Sequence, residues 1–166
     1  MRAALLGILV ASTASAAPLV AVVPFTGTSD DLAIYARPTA DAVALFQKAQ
    51  DLHEKGDLQA AIELYEKAIA AIGDFPEAEY QRGHALLALG RDAEAERAFR
   101  RAVETRPDWT LALANLGSIL VGKGAYPEAE KLLLKAISLD DQNTVAYSAL
   151  VELRLNSKAP AEELKQ

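Results

Sequence analysis

His53 and His84 are the only two histidines in the 166-residue chain, and imidazole is the side chain best suited to metal ligation or proton transfer near neutral pH. Two imidazoles with no third carboxylate or thiolate at ligand spacing fall short of a zinc site, so both read as exposed histidines. Cysteine is absent, which excludes thiolate chemistry and disulfide staples. Ser118 has no His–Asp arrangement at a spacing that would activate its hydroxyl. No glycine precedes a Lys-Ser or Lys-Thr pair, so a phosphate-binding loop is not indicated. Glu63, Glu66 and Lys67, like Glu128, Glu130 and Lys131, alternate in sign as a solvated helix face does. These patterns assign no catalytic, cofactor-binding or metal-binding residue, and the chain does not read as an enzyme.

The elements that carry these side chains are set by a repeat. Gly56, Gly90 and Gly124 recur every 34 residues, and so do Ala61, Ala95 and Ala129. Ala68, Ala102 and Ala136 keep the same step, as do the large residues Tyr65, Phe99 and Leu133 and the small residues Ala49, Gly83 and Gly117. Small and large residues at fixed offsets over this period describe stacked helical hairpins. Apolar residues at three- and four-residue spacing predict seven helices, at 40–55, 58–71, 76–89, 92–105, 110–123, 126–138 and 144–156. Glycine after a helix supplies the left-handed turn that ends it, and Pro76 and Pro107 cannot continue a preceding helix. The expected fold is an all-α solenoid of three hairpins closed by a capping helix over 144–156. A polar, frayed tail is expected at 157–166.

Composition bounds the rest. The chain is 51% hydrophobic and 24% charged, ordinary for a soluble globular protein. Arg2, the apolar run Ala3 to Ala11 and the small residues Ala14-Ser15-Ala16 follow the order of a secretory signal peptide over residues 1–17. The alternative is an uncleaved membrane anchor, against which Ser12, Thr13, Ser15 and Pro18 interrupt the apolar run. Removing Arg2 with the signal takes 17 basic residues to 16 against 23 acidic, a formal charge of −7. That balance argues against nucleic acid or an anionic membrane as the main partner, because phosphate binding needs clustered Lys and Arg, and no membrane insertion is expected after cleavage.

Residues 18–39 form a separate leader. Leu19 to Phe25 is rich in β-branched residues and reads as a short strand, and Thr26 to Asp31 reads as a turn or loop. Val20 to Phe25 with this loop resembles the start of a domain in bacterial envelope proteins related to the translocation protein TolB. The competing reading is a leader that is ordered only by docking on the first helices.

The period and its residues resemble the tetratricopeptide repeat, a helix–turn–helix unit, with units at 42–75, 76–109 and 110–143. Gly83, Leu86, Gly90, Ala95, Phe99, Ala102 and Pro107 of the second unit fall on the family's signature places. The third unit carries Leu116, Gly117, Gly124, Tyr126, Ala129 and Ala136, with Asp141 where proline is usual. The first unit has Ala49 for glycine and Gly73 for the terminal proline. The small residues at 49, 83 and 117 are expected to let the helices of a unit approach. Tyr65, Phe99 and Leu133 are expected to fill the gap between one hairpin and the next.

The resemblance implies that the first helix of each unit lines a concave groove. By register that groove holds Val43, Phe46, Gln50 and His53, then Glu77, Tyr80, His84 and Leu87, then Leu111, Ala114, Ser118 and Val121, with Ser148 and Glu152 on the last helix. Asn115 stands where family members hold a bound peptide backbone, with Gln47 and Gln81 at the equivalent places; an amide offers both donor and acceptor. Gln50, His84 and Ser118 replace the cationic set that clamps a C-terminal carboxylate in some relatives, so an extended or helical peptide with apolar anchors fits better than an acidic tail. The alternative for Phe46 and Tyr80 is packing between helices. The implied function is an exported, periplasmic module that binds a protein or peptide. The alternative is a self-assembling or accessory component of an envelope complex.

Overall fold

A computed structural model describes the backbone of residues 29–163 and the side chains of residues 40–157. The signal sequence over 1–17 and the strand expected over 19–25 lie outside the described residues. The chain divides into two units, residues 1–37 and residues 38–166. Among the described residues there are seven helices: α1 (Ser29–Glu54), α2 (Leu58–Ile72), α3 (Pro76–Ala88), α4 (Asp92–Thr105), α5 (Thr110–Gly122), α6 (Tyr126–Leu139) and α7 (Thr144–Glu163).

Local chemistry places the ends of these helices. Asp57 precedes α2, and its carboxylate accepts from the Ala60 amide at 3.4 Å, which satisfies one orphan donor of the first turn. Asn143 does the same for α7, accepting from the Ala146 amide at 3.0 Å. Pro76 and Pro127 stand in the first turns of α3 and α6, where a missing N–H costs nothing. Gly56, Gly90 and Gly124 adopt φ of 83°, 70° and 77°, the left-handed region that side chains disfavour, and so mark the turn inside each hairpin.

Two helix ends differ from the sequence reading. The turn expected over 26–31 gives way to helix at Ser29, and α1 then runs through Pro38. Serine and aspartate suit a helix start as well as a turn, so residue type alone left the choice open. At the other end α7 continues to Glu163 instead of ending at 156. Ser157 there donates to the Arg154 carbonyl of its own helix at 3.3 Å.

The second unit is an α-solenoid of the hairpins α1–α2, α3–α4 and α5–α6, followed by α7. Within it α2 packs on α3, α4 on α5, α6 on α7, and α5 also touches α7. The core is built largely from alanine. Ala49, Ala61, Ala68, Ala95, Ala102, Ala129 and Ala136 are all fully buried. Small side chains let backbones come close, so that each large residue has a defined seat. A Cβ at position 83 would stand 2.8 Å from Phe99 Cζ, and one at position 117 would stand 2.6 Å from Leu133 Cδ2. Phe99 and Leu133 therefore seat against the glycine of their own hairpin, and both belong to one buried cluster that includes residues of the neighbouring units.

Ion pairs run between helices along the outside. Arg82 reaches Glu66 at 3.0 Å, Arg100 reaches Glu128 at 2.5 Å, Lys123 reaches Glu96 at 2.5 Å, and Arg154 pairs with Glu130. The alternating charges of the second helices thus include links from one helix to the next. Exposed pairs of this kind contribute about 0–1 kcal/mol each.

Candidate partner-binding face

The first helices α1, α3, α5 and α7 carry the columns of residues singled out in the sequence. Phe46, on α1, is half-buried, with its ring centroid 5.7 Å from Tyr65 and 5.0 Å from Phe75. Tyr80, on α3, is placed the same way, 5.6 Å from Phe99 and 4.5 Å from Trp109. Phe46 and Tyr80 occupy one repeat column, and Phe75 and Trp109 occupy another. The aromatic pair is therefore repeated in the first two units. Both aromatics pack between helices while keeping an open edge, so neither of the two sequence readings describes them alone. In the third unit the same columns hold Ala114 and Asn143, both buried, and the pair is lost.

Trp109 and Arg106 were not singled out from the sequence, and the 34-residue period contains the signal that finds Trp109. Arg106 sits over the indole with its guanidinium carbon 4.8 Å from the ring centroid, a cation–π geometry. The same guanidinium pairs with Glu77 through Oε1, while Glu77 Oε2 is buried without a partner. Glu77, expected as a groove contact, is thus tied to the end of α4.

Asn115 is also committed within the protein. Its amide nitrogen donates to the Leu111 carbonyl at 2.8 Å and to the Tyr80 hydroxyl at 3.3 Å. Both donors of the side chain are used, which leaves the amide oxygen as its remaining hydrogen-bonding group. Gln47 is exposed, and Gln50 and Gln81 are half-buried. Leu87 is half-buried and Leu111 is exposed. Val43 lies open at the α1 end, and Val121 is buried.

The histidines stand within this aromatic framework. His53 Nδ1 lies 3.4 Å from the Tyr65 hydroxyl, and burial, with the charge of Glu54, pushes the Tyr65 phenol up to about 12, so it stays protonated at neutral pH. The His84 ring is 4.6 Å from Tyr80 and 5.2 Å from Phe99. Burial and then His53 hold the His84 imidazole below its ordinary value, which keeps it neutral at pH 7. Burial likewise raises the Tyr80 phenol, partly offset by the Asn115 hydrogen bond.

At the far end the face opens into a shallow cavity of about 280 Å³ lined by Ser118, Thr144, Val145, Ser148, Ala149 and Glu152. Among the described residues no three His, Cys, Asp or Glu side chains group as a metal site, and no helix is long and apolar enough to cross a membrane.

Hairpins in register, each with a small residue seated under a large one, define the family. Tetratricopeptide repeat family models match residues 52–119 and 112–145. The chain belongs to the tetratricopeptide repeat family. Human protein O-mannosyl-transferase TMTC2 is 30% identical over 109 residues, covering 64% of this chain and 13% of that protein. Human tetratricopeptide repeat protein 7A is 27% identical over 118 residues, covering 71% of this chain and 14% of that protein. The repeat protein thus spans about an eighth of the length of these relatives. Among solved structures, the first repeat domain of Spaghetti (RPAP3), bound to the HSP90 peptide SRMEEVD, is 27% identical with a TM-score of 0.66, covering 74% of this chain and 95% of that one. MamA matches at 21% identity with a TM-score of 0.67, covering 81% and 78%, a likeness of fold.

Proposed function

We propose that this repeat protein is an exported, periplasmic interaction module that takes a protein or peptide segment along the face of α1, α3, α5 and α7. The observation that carries the reading is that face itself. Its columns hold aromatic edges, amides and hydroxyls that the core does not fully absorb, arranged in a line across three units and α7. Repeat arrays use extended surfaces of this kind for recognition. The peptide seen in the RPAP3 domain supports the same use here, at 27% identity. An acidic tail such as SRMEEVD is not the expected ligand, because Gln50, His84 and Ser118 stand on the innermost track and none is cationic at neutral pH. Export rests on the residue order over 1–17. Pull-down from envelope extract tests the reading, with Tyr80→Ala plus Asn115→Ala as the face variant and circular dichroism as the check on folding. A folded variant that retains every partner of the wild type sinks it.

A second reading, self-assembly, is favoured by one feature. Tyr147, Val151 and Leu155 on α7 are 45%, 60% and 66% exposed, which leaves an apolar strip at the end of the array.

A further inference from the structure

The cavity between α5 and α7 differs in chemistry from the rest of the face. Gln50, His84, Ser118 and Glu152 share one repeat column, so the innermost track ends in a carboxylate. Glu152 is exposed and has no ion-pair partner among the described residues, although α7 does carry a cation. Arg154 points its guanidinium to Glu130 of α6 instead. The other carboxylate on the face, Glu77, is already neutralised by Arg106. Of the two carboxylates in the face columns, Glu152 is therefore the one without a cation partner among the described residues.

Three hydroxyls line the same cavity as Glu152. Thr105, Ser138 and Ser157 each donate back to a carbonyl of their own helix, the usual fate of such groups on helices. Ser118, Thr144 and Ser148 make no such bond among the described residues and line the cavity with Glu152. Val145, 39% exposed, and buried Ala149 supply an apolar floor. In this unit the columns of the aromatic pair hold the buried Ala114 and Asn143 instead.

We infer that this cavity is a specificity pocket for a basic side chain, lysine or arginine, of the segment bound along the face. An ammonium or guanidinium brings only donors, and the carboxylate together with the lone pairs of three hydroxyls supplies acceptors for it. The aliphatic stem of such a side chain lies along Val145 and Ala149 while its head reaches Glu152, as amphipathic stems do on apolar surface. The inference rests on the peptide-binding reading above and names the ligand class that the reading leaves open. It inverts the charge preference of a carboxylate clamp.

Random dodecapeptides displayed on phage and selected on the full chain provide the test. Peptides whose binding is lost with Tyr80→Ala report on the face. Those peptides are expected to carry a basic residue at one fixed position. A selected peptide remade with norleucine at that position should bind the wild type about tenfold more weakly, the scale of a charge-assisted hydrogen bond. On Glu152→Gln, an isosteric change at an exposed site, the lysine and norleucine peptides should bind alike. Face-dependent peptides with no basic residue, or a lysine preference that survives in Glu152→Gln, overturn the pocket and leave the face reading standing. Selection that yields no face-dependent peptide removes both.

Discussion

Arg106 shows how much one side chain organises on this face. It neutralises a carboxylate whose second oxygen is buried and unpartnered, and it covers the Trp109 ring. Arg106→Ala leaves the Glu77 charge in a site only 17% exposed at the side chain. Stranding a buried charge costs about 3–5 kcal/mol in full burial, and a lost cation–π contact costs about 0.5–1 kcal/mol. Partial exposure of both residues lowers the first figure, so the expected loss is about 2–3 kcal/mol. Urea unfolding followed by circular dichroism measures it. In a Glu77→Gln background the same substitution should cost much less, because no charge is then stranded. Lysine at 106 should recover only part, since an ammonium lacks the planar fork that stacks on indole.

At the scale of elements, the alanine and glycine columns set how closely helices approach. Ala95 is fully buried on α4, one turn from Phe99, which is itself pressed against Gly83. Ala95→Leu should destabilise by about 1–3 kcal/mol through overpacking, whereas Ala93→Leu on the exposed side of the same helix should stay within about 0.5 kcal/mol. Thermal unfolding of the two variants decides between a packing column and a mere helix preference. The same columns explain why so much of the fold was legible: glycines at 56, 90 and 124 mark turns, and spacing in between marks helices. Legibility failed where one residue type serves two geometries. Ser29 to Asp31 suit a turn or a helix start, and the leader expected over 18–39 is overlapped by α1, which begins at Ser29. On the face, the columns of Phe46 and Tyr80 were readable from the period. The commitment of Asn115 to Tyr80, and of Glu77 to Arg106, was not, because those contacts join residues from different units or elements whose distances a linear sequence does not display.

For the whole molecule the ends of the array matter most. Tyr147 and Leu150 share columns with the buried Leu113 and Leu116, so on sequence grounds α7 was expected to close the array as a solvating helix. Helix α7 packs on α5 and α6 in that position, and its outer side leaves Tyr147, Val151 and Leu155 exposed among the described residues. Position 151 is also a valine where Gly83 and Gly117 accept a large neighbour at contact distance, so this end does not offer the seat that closes an ordinary hairpin. If self-association is how the strip is covered, light scattering of the chain without residues 1–17 should show a concentration-dependent mass that Val151→Glu returns to a monomer. A strict monomer for the wild type at high concentration removes that reading. The stack on Tyr80 has a consequence of another kind. Trp109 is the only tryptophan of the chain, and it lies in the second of three units beside the residues proposed to meet a ligand. Its emission therefore reports from one known place near the middle of the array, so that occupancy of the face can be followed optically in unlabelled protein.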